Sequence, residues 1–199
     1  MGNLRIIYKF ILLSFLTMVS IGCSSCGPAE LETTAEEEVF DPIYWDTCSN
    51  VVGDHACNFV LLNQKGEEVS LYDFYGKVIL IDFSTEWCGY CRVAASEAQR
   101  MQDKYGEEDF VHITVLVETS SGAEPSADDL QLWMDTYGIT SAVVLSGSRS
   151  MLNQSSESYW PVTGWPTFFI LDRDMKVFDI LKGYSSQMLE EIVEEAGKI

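Results

Sequence analysis

The chain has 199 residues, a formal charge of −19 and only 12 Lys and Arg. That length suits one domain with a full core plus appendages rather than two ordinary domains. With 47% apolar and 12% aromatic residues the chain is globular rather than disordered. The charge argues against nucleic acid as a partner, because phosphate recognition needs clustered Lys and Arg and none occurs.

At the N-terminus, Arg5 and Lys9 precede an apolar run from Phe10 to Ile21, and Gly22-Cys23 follows. These are the parts of a secretory leader, expected over residues 1–22. About a dozen apolar residues fall short of the ~20 that span a bilayer, which disfavours an uncleaved anchor. Residues 23–46 carry Glu30, Glu32, Glu36, Glu37 and Glu38 with few large apolar side chains, and read as an acidic, flexible tether. The folded domain is expected over residues 47–199.

Within it, Asn58 to Leu62 and Val69 to Leu71 read as short strands around the turn Asn63-Gln64-Lys65-Gly66. Val78 to Phe83 is β-branched at its start and nearly free of charge, so it reads as a strand buried on both faces. Cys91 to Tyr105 carries Val93, Ala94, Ala98, Met101 and Tyr105 at helical spacing. Phe110 to Val117 is a second apolar strand. Ser126 and the acids after it open a second helix, with Leu130, Trp133, Met134 and Tyr137 as its buried stripe and Gly138 as its stop. Ala142 to Leu145 reads as a short strand and the serine-rich segment 147–159 as a loop. Thr167 to Leu171 and Lys176 to Leu181 face each other across Asp172-Arg173-Asp174, where Asp174 is expected to take the left-handed position. A last helix starts near Ser186, with Met188, Leu189, Ile192, Val193 and Ala196 inward. Strands alternating with helices predict an α/β fold around a central mixed sheet.

The chemistry concentrates in Trp87-Cys88-Gly89-Tyr90-Cys91, where a buried strand turns into a helix. Cys88 falls at the helix N-terminus, where unpaired N–H groups and the dipole favour a thiolate. Cys91 lies three residues on, on the same helical face, so the two sulfurs can meet in a disulfide. Cys88 is the expected nucleophile and Cys91 the resolving thiol, with no cofactor required. A zinc site would need a second Cys or His pair, and His55 and His112 are isolated, so no metal is expected. Asp82 is a lone acid inside the buried strand. It either relays protons to and from Cys91, with a carboxyl pKa raised by desolvation, or caps a neighbouring backbone group.

Val78 to Cys91 resembles the active-site segment of thioredoxin, with Asp82 at the place of its buried aspartate. Residues 52–77 resemble the N-terminal hairpin of the TlpA-like, membrane-anchored thioredoxins. Gly164-Trp165-Pro166-Thr167 is similar to their cis-proline loop, and the helical insertion before it is typical of them. The resemblance covers roughly residues 50–197. It implies a thioredoxin fold, a cis bond before Pro166, and a substrate-contacting surface of Trp87, Gly89, Tyr90, Trp165 and Pro166. Trp165 departs from the usual smaller residue before that proline, and reads either as a substrate wall or as core. Trp87 and Glu86 match thioredoxin and are expected to be packing and surface respectively. Val19 to Cys23 resembles a bacterial lipobox, with Ser20 where leucine is usual, and implies lipidation at Cys23 and a lipid-anchored, envelope-facing location; Ser24 after it resembles an outer-membrane sorting signal for a source with two membranes.

Cys48 and Cys57 read as a second disulfide stapling the start of the domain, or as an auxiliary redox pair. Cys26 is left odd: a free thiol, a second lipidation candidate or an intermolecular bridge. The TlpA-like resemblance implies a reductase of protein disulfides, such as those of cytochrome or copper-site proteins, fed by a membrane thiol carrier. The Gly89-Tyr90 dipeptide is similar to that of the periplasmic disulfide isomerase and points instead to oxidase or isomerase work. A copper-delivery protein would need three residues between its cysteines and a well-placed histidine; a thiol peroxidase would need a Thr-x-x-Cys motif in a proline-led loop, which Thr85-Glu86-Trp87-Cys88 mimics only superficially; a non-enzymatic module would have lost one cysteine.

Overall fold

The computed structural model describes Trp45 and residues 47–106, 109–156 and 158–198. The expected leader, Cys23, Cys26 and the tether up to residue 44 lie outside the described residues. The strands are β1 (Val60–Asn63), β2 (Glu68–Ser70), β3 (Val78–Thr85), β4 (Phe110–Glu118), β5 (Val143–Ser146), β6 (Thr167–Leu171) and β7 (Val177–Lys182). The α-helices are α1 (Gly89–Tyr105), α2 (Ala127–Tyr137) and α3 (Ser186–Ala196). The seven strands form one sheet in the order β2-β1-β5-β4-β3-β6-β7. β3, β4 and β5 run parallel, while β6 pairs antiparallel with β3 and β1 antiparallel with β5. The sheet is therefore mixed, with the parallel strands central.

Alternation along the strands splits the core in two. Ile79, Ile81 and Phe83 of β3 join Val111, Ile113 and Val115 of β4 on one face. Irregular structure covers this face: Trp45, the segment 47–59, single 3-10 turns at Leu71–Phe74 and Arg149–Leu152, and the chain around Trp160. Trp160 is wholly buried, with ring centroids 5.1 Å from Phe83 and 4.9 Å from Phe169. Such pairs contribute about 0.5–1.5 kcal/mol each beyond area burial. The other face, with Val78, Leu80, Phe110, Leu116 and Phe168, carries all three α-helices. The buried residues of α1 are Cys91, Ala94, Ala95, Ala98 and Met101, and the three alanines let the helix lie close on the sheet.

Several expectations are corrected. Val93 is half exposed, because it lies off the stripe that Cys91, Ala94, Ala95 and Ala98 define. Met188 is likewise exposed, the buried side of α3 being Leu189, Val193 and Ala196. Segment 147–159 is not all loop: it makes the 3-10 turn at Arg149–Leu152 and returns tightly over β4. At Gly147 a Cβ would come within 2.5 Å of Val115 Cγ1, so this crossing requires glycine.

In the β6–β7 turn it is Met175, with φ 62°, that takes the left-handed position. Asp172 Oδ1 accepts N–H bonds from Asp174 (3.0 Å) and Lys176 (2.9 Å), which ties the turn around Met175. The Met175 carbonyl accepts from Ala56 N–H (2.9 Å), and its side chain is fully buried in the first core. Left-handed backbone costs a side-chain residue roughly 1–2 kcal/mol, whereas truncating a buried methionine costs about 2–5 kcal/mol. Burial outweighs strain, so Met175→Gly should lower unfolding stability in urea by about 1–3 kcal/mol. A gain in stability would show that strain dominates.

Candidate active site

β3 ends at Thr85, and Cys88 N–H donates back to the Thr85 carbonyl at 3.3 Å, so only two residues separate the strand from the helix cap. Cys88 is the N-cap of α1 with extended backbone (φ −79°, ψ 118°). Its Sγ accepts the Cys91 N–H at 3.2 Å, filling the role that Ser or Asp plays at other helix starts. The two cysteines form a disulfide with Cα atoms 5.2 Å apart. Cys91 is fully buried and Cys88 is 7% exposed, so an incoming sulfur meets Cys88 first. On reduction, the Cys88 thiolate would sit where the helix end supplies N–H donors and positive potential.

Aromatic residues frame that sulfur. Tyr90 is 69% exposed and Trp87 46%, so Trp87 is a surface residue rather than packing. Its indole N–H donates to Glu118 Oε2 (2.9 Å), and Arg149 holds the same carboxylate through both its Nε (3.1 Å) and its Nη2. The Arg149 hydrogen bond, and then that from Trp87, hold the Glu118 carboxyl below its usual pKa. Glu86 is half-buried rather than simply surface, its carboxylate accepting the Ser120 N–H at 2.8 Å. The Trp165–Pro166 bond is cis. Trp165 is half-buried against both cores, and its ring meets Trp87 edge-on at 6.4 Å. Pro166 is buried, and its carbonyl accepts from Gly183 N–H at 2.8 Å, so that carbonyl is engaged within the fold.

Beneath the helix, Asp82 is fully buried on the side of the sheet that carries Cys91. Its Oδ1 accepts from Ser84 Oγ at 2.8 Å, whereas Oδ2 has no hydrogen-bond partner among the described residues. Among the described residues it caps no backbone group. Desolvation raises its pKa to about 7, the Ser84 bond opposing in part. On β4, Thr114 stands directly opposite Asp82, and His112 opposite Leu80. Thr114 Oγ1 and both His112 ring nitrogens are likewise buried without partners among the described residues. Burial lowers the His112 pKa to about 4, so the ring is neutral at pH 7; proximity of the Ala98 carbonyl offsets this slightly without a well-formed hydrogen bond.

A strand that hands its chain to a cysteine-capped helix, beside a cis-proline loop, is the construction of thioredoxin-fold thiol–disulfide oxidoreductases, and this chain is one. Its sequence matches the AhpC/TSA family over residues 52–180, and the chain belongs to that family. It is 28% identical over 131 residues to the thioredoxin-like protein YneN of Bacillus subtilis, covering 66% of this chain and 71% of that one. It is 26% identical over 145 residues to the thiol-disulfide oxidoreductase ResA of Bacillus thuringiensis, covering 72% and 78% of the two chains. Among solved structures, a candidate thiol:disulfide interchange protein DsbE from Chlorobium tepidum superposes with TM-score 0.61 at 26% identity, covering 75% of this chain and 99% of that one. The thioredoxin domain of a thiol-disulfide oxidoreductase from Bacteroides vulgatus shares the fold, with TM-score 0.59 at 20% identity over 73% of this chain and 99% of that one. These relatives place the chain with the TlpA-like oxidoreductases.

Cys48 and Cys57 form the second disulfide, Cα atoms 4.9 Å apart. Asn50 within its loop accepts Cys57 N–H (2.9 Å) and donates to the Tyr159 carbonyl (2.8 Å), linking the loop to the chain that leads to Trp165. Among the described residues no three His, Cys, Asp or Glu side chains gather as a metal site would require. Glu118, Arg149, Ser84, Thr114 and His112 are additions that the sequence reading missed. For His112 and Thr114 a signal existed: polar residues at alternate positions of an apolar strand, the same oddity that singled out Asp82.

Asp82 and His112 pull stability in opposite directions. Asp82 titrates near 4 unfolded and about 7 folded, so its contribution is fully present at low pH and is lost as pH rises between these values. His112 titrates near 6.5 unfolded and about 4 folded, so it costs stability as pH falls through that window. From about pH 4 to 6.5 both states hold one proton on this pair, and the slopes cancel. Asp82→Asn should therefore expose a loss of stability on acidification from pH 6.5 to 4, and His112→Gln a loss on raising pH from 4 to 7. Urea titrations across that range check both, and flat profiles in both variants would refute the shifts.

Proposed function

We propose that the chain is a lipid-anchored reductase of protein disulfides in the cell envelope, with Cys88 as nucleophile and Cys91 as resolving thiol. The observation that carries it is the Cys88 sulfur, capping α1 at the surface and bonded to a fully buried Cys91. The Cys88 thiolate attacks a partner disulfide; a mixed disulfide forms and one partner thiolate leaves. Cys91 gives its proton to Asp82 and attacks Cys88, so the pair closes to a disulfide and the second partner thiolate departs. Trp87, Tyr90 and Trp165 form the apolar surround for the partner's cysteine, and Gly89 leaves the approach to Cys88 open. With the Pro166 carbonyl engaged by Gly183, the partner's backbone is met by the Trp165 side of the loop.

The leader and Cys23 support export and lipidation, and a membrane thiol carrier would return the electrons. No helix among the described residues is long and apolar enough to cross a membrane. Partners are protein thiols and disulfides, cytochrome and copper-site cysteines being the candidates. The exposed Tyr90 in the Gly-Tyr dipeptide supports the alternative, a disulfide oxidase or isomerase.

The deciding measurement is the reduction potential of Cys88–Cys91 against glutathione buffers, with and without Cys48→Ser/Cys57→Ser. A value near −270 mV supports the reductase, and one towards −120 mV the oxidase or isomerase. Cys91→Ser should accumulate mixed disulfides with partners at Cys88, and Cys88→Ser should abolish exchange; a pair that does not titrate overturns the proposal. Loss of the Cys48–Cys57 staple should leave the potential unchanged and cost about 2–3 kcal/mol of stability for so short a loop. A shifted potential would reveal an auxiliary redox pair instead.

A further inference from the structure

The polar atoms buried under α1 do not end at Asp82. Ser84 engages one carboxylate oxygen and leaves Oδ2 without a partner. Thr114 is the direct cross-strand neighbour of Asp82 on β4, and neighbouring strands lie about 4.8 Å apart. His112 is two residues along β4, so it shares that face at roughly 6.6 Å from Thr114 along the strand. Asp82 Oδ2, Thr114 Oγ1 and the two His112 nitrogens are all buried without hydrogen-bond partners among the described residues. Four such atoms on one face of the sheet, with only the Ala98 carbonyl near His112, are costly unless they serve one another, directly or through an ordered water. His112 in turn lines a narrow crevice between α1 and α3 with Arg100, Tyr184 and Ser186, wide enough for about a single water.

We infer that Asp82, Thr114 and His112 form a proton route that carries the proton released by Cys91 away from the dithiol and out through the α1–α3 crevice. The inference rests on the proposed role of Asp82 as acceptor of that proton. When Cys91 attacks the mixed disulfide, its proton passes to Asp82, the Cys88–Cys91 bond forms and the partner thiolate leaves. The Asp82 proton then passes by the Thr114 hydroxyl to one nitrogen of neutral His112. The other nitrogen releases a proton to water in the crevice, and the Asp82 carboxylate is restored. In the reverse, oxidising direction each transfer runs backwards. His112 is a transient carrier, since burial lowers its pKa to about 4 and its imidazolium gives up the proton readily, whereas Asp82, at about 7, both takes up and gives up a proton near neutrality.

The surroundings are consistent with this passage. α1 presents Glu97 and Arg100 at the crevice, and Gln102, whose Oε1 accepts the His112 backbone N–H at 2.8 Å. The chain entering α3 presents Tyr184 and Ser186, with Glu190 ion-paired to Arg100 at 2.8 Å. From β3 and β6 the neighbours are Leu80 and Phe168, both apolar. Asp82 and His112 are thus the titrating groups on the inner part of the route, and the paired charges stay at its mouth.

The test uses the full chain, reduced, in stopped flow against an excess of a chromogenic aryl disulfide. The first aryl thiolate released reports attack by Cys88, and the second reports resolution by Cys91 with loss of its proton. Thr114→Val is nearly isosteric and suited to a strand, so it interrogates the route even if His112→Gln fails to fold. Both variants should leave the first phase and the reduction potential unchanged and slow the second by roughly tenfold in dilute buffer. A high concentration of imidazole buffer should restore the rate, and the solvent isotope effect on the second phase should rise. Wild-type second phases in both variants, or a slowing that buffer does not relieve, would overturn the inference while leaving the dithiol chemistry intact. A second phase in Asp82→Asn with the wild-type pH profile would remove Asp82 as acceptor and the route with it. Absence of both phases from the parent chain would instead refute the oxidoreductase mechanism itself.

Discussion

Strand β3 has no exposed residue along its eight positions, yet its chain reaches the surface within three more. Everything that matters to the chemistry hangs on that transition. Flanked by β4 and β6 and covered on both faces, β3 is held against slippage, because a one-residue shift would exchange its two faces. The strand thus delivers Cys88 to a defined point in space, and α1 begins there because the cysteine sulfur itself satisfies the Cys91 N–H. Capping and reactivity are two consequences of one geometry: donors that need an acceptor at a helix start also stabilise a thiolate.

The same alternation that protects the strand places a carboxyl group beneath the dithiol. Asp82 is tolerated inside the sheet because Ser84 serves one oxygen and because it can remain protonated near neutrality. His112, on the same face of the sheet, is neutral at pH 7 and so leaves no imidazolium charge in the core. A structural polar cluster would be expected to satisfy all its atoms; across Asp82, Thr114 and His112 four are without a well-formed hydrogen bond among the described residues.

Around the sulfur, the surface is aromatic and shaped from a distance. Trp87 is oriented by Glu118 at the end of β4, which is in turn held by Arg149 from the turn that crosses back over the first core. Exposed ion pairs contribute little to stability, so the value of this one lies in fixing an indole beside the reactive cysteine. The Cys48–Cys57 staple is tied through Asn50 to the Tyr159 carbonyl, in the chain that leads to Trp165.

Local pattern was enough for much of this. The apolar run of β3, the helix behind it, the Ser126 cap and Gly138 stop of α2, and the Cys-x-x-Cys spacing are each written within a few residues, because strand periodicity, capping and sulfur reach are short-range properties. Where the reading failed, the deciding forces came from far along the chain. Met175 rather than Asp174 takes the left-handed backbone because Asp172 ties the turn while the first core receives the methionine. Val93 and Met188 turn outward because the helices' orientation follows the sheet beneath them. Nothing near Trp87 announces Glu118, 31 residues away, or Arg149 beyond it. His112 reads as isolated in the sequence and comes onto the face of Asp82, opposite Leu80 and two residues from Thr114, only when β4 docks in parallel register beside β3. The sequence by itself determined the dithiol and the strand that carries it; strand pairing and packing alone decided what surrounds them, since contacts between distant segments leave no local signature.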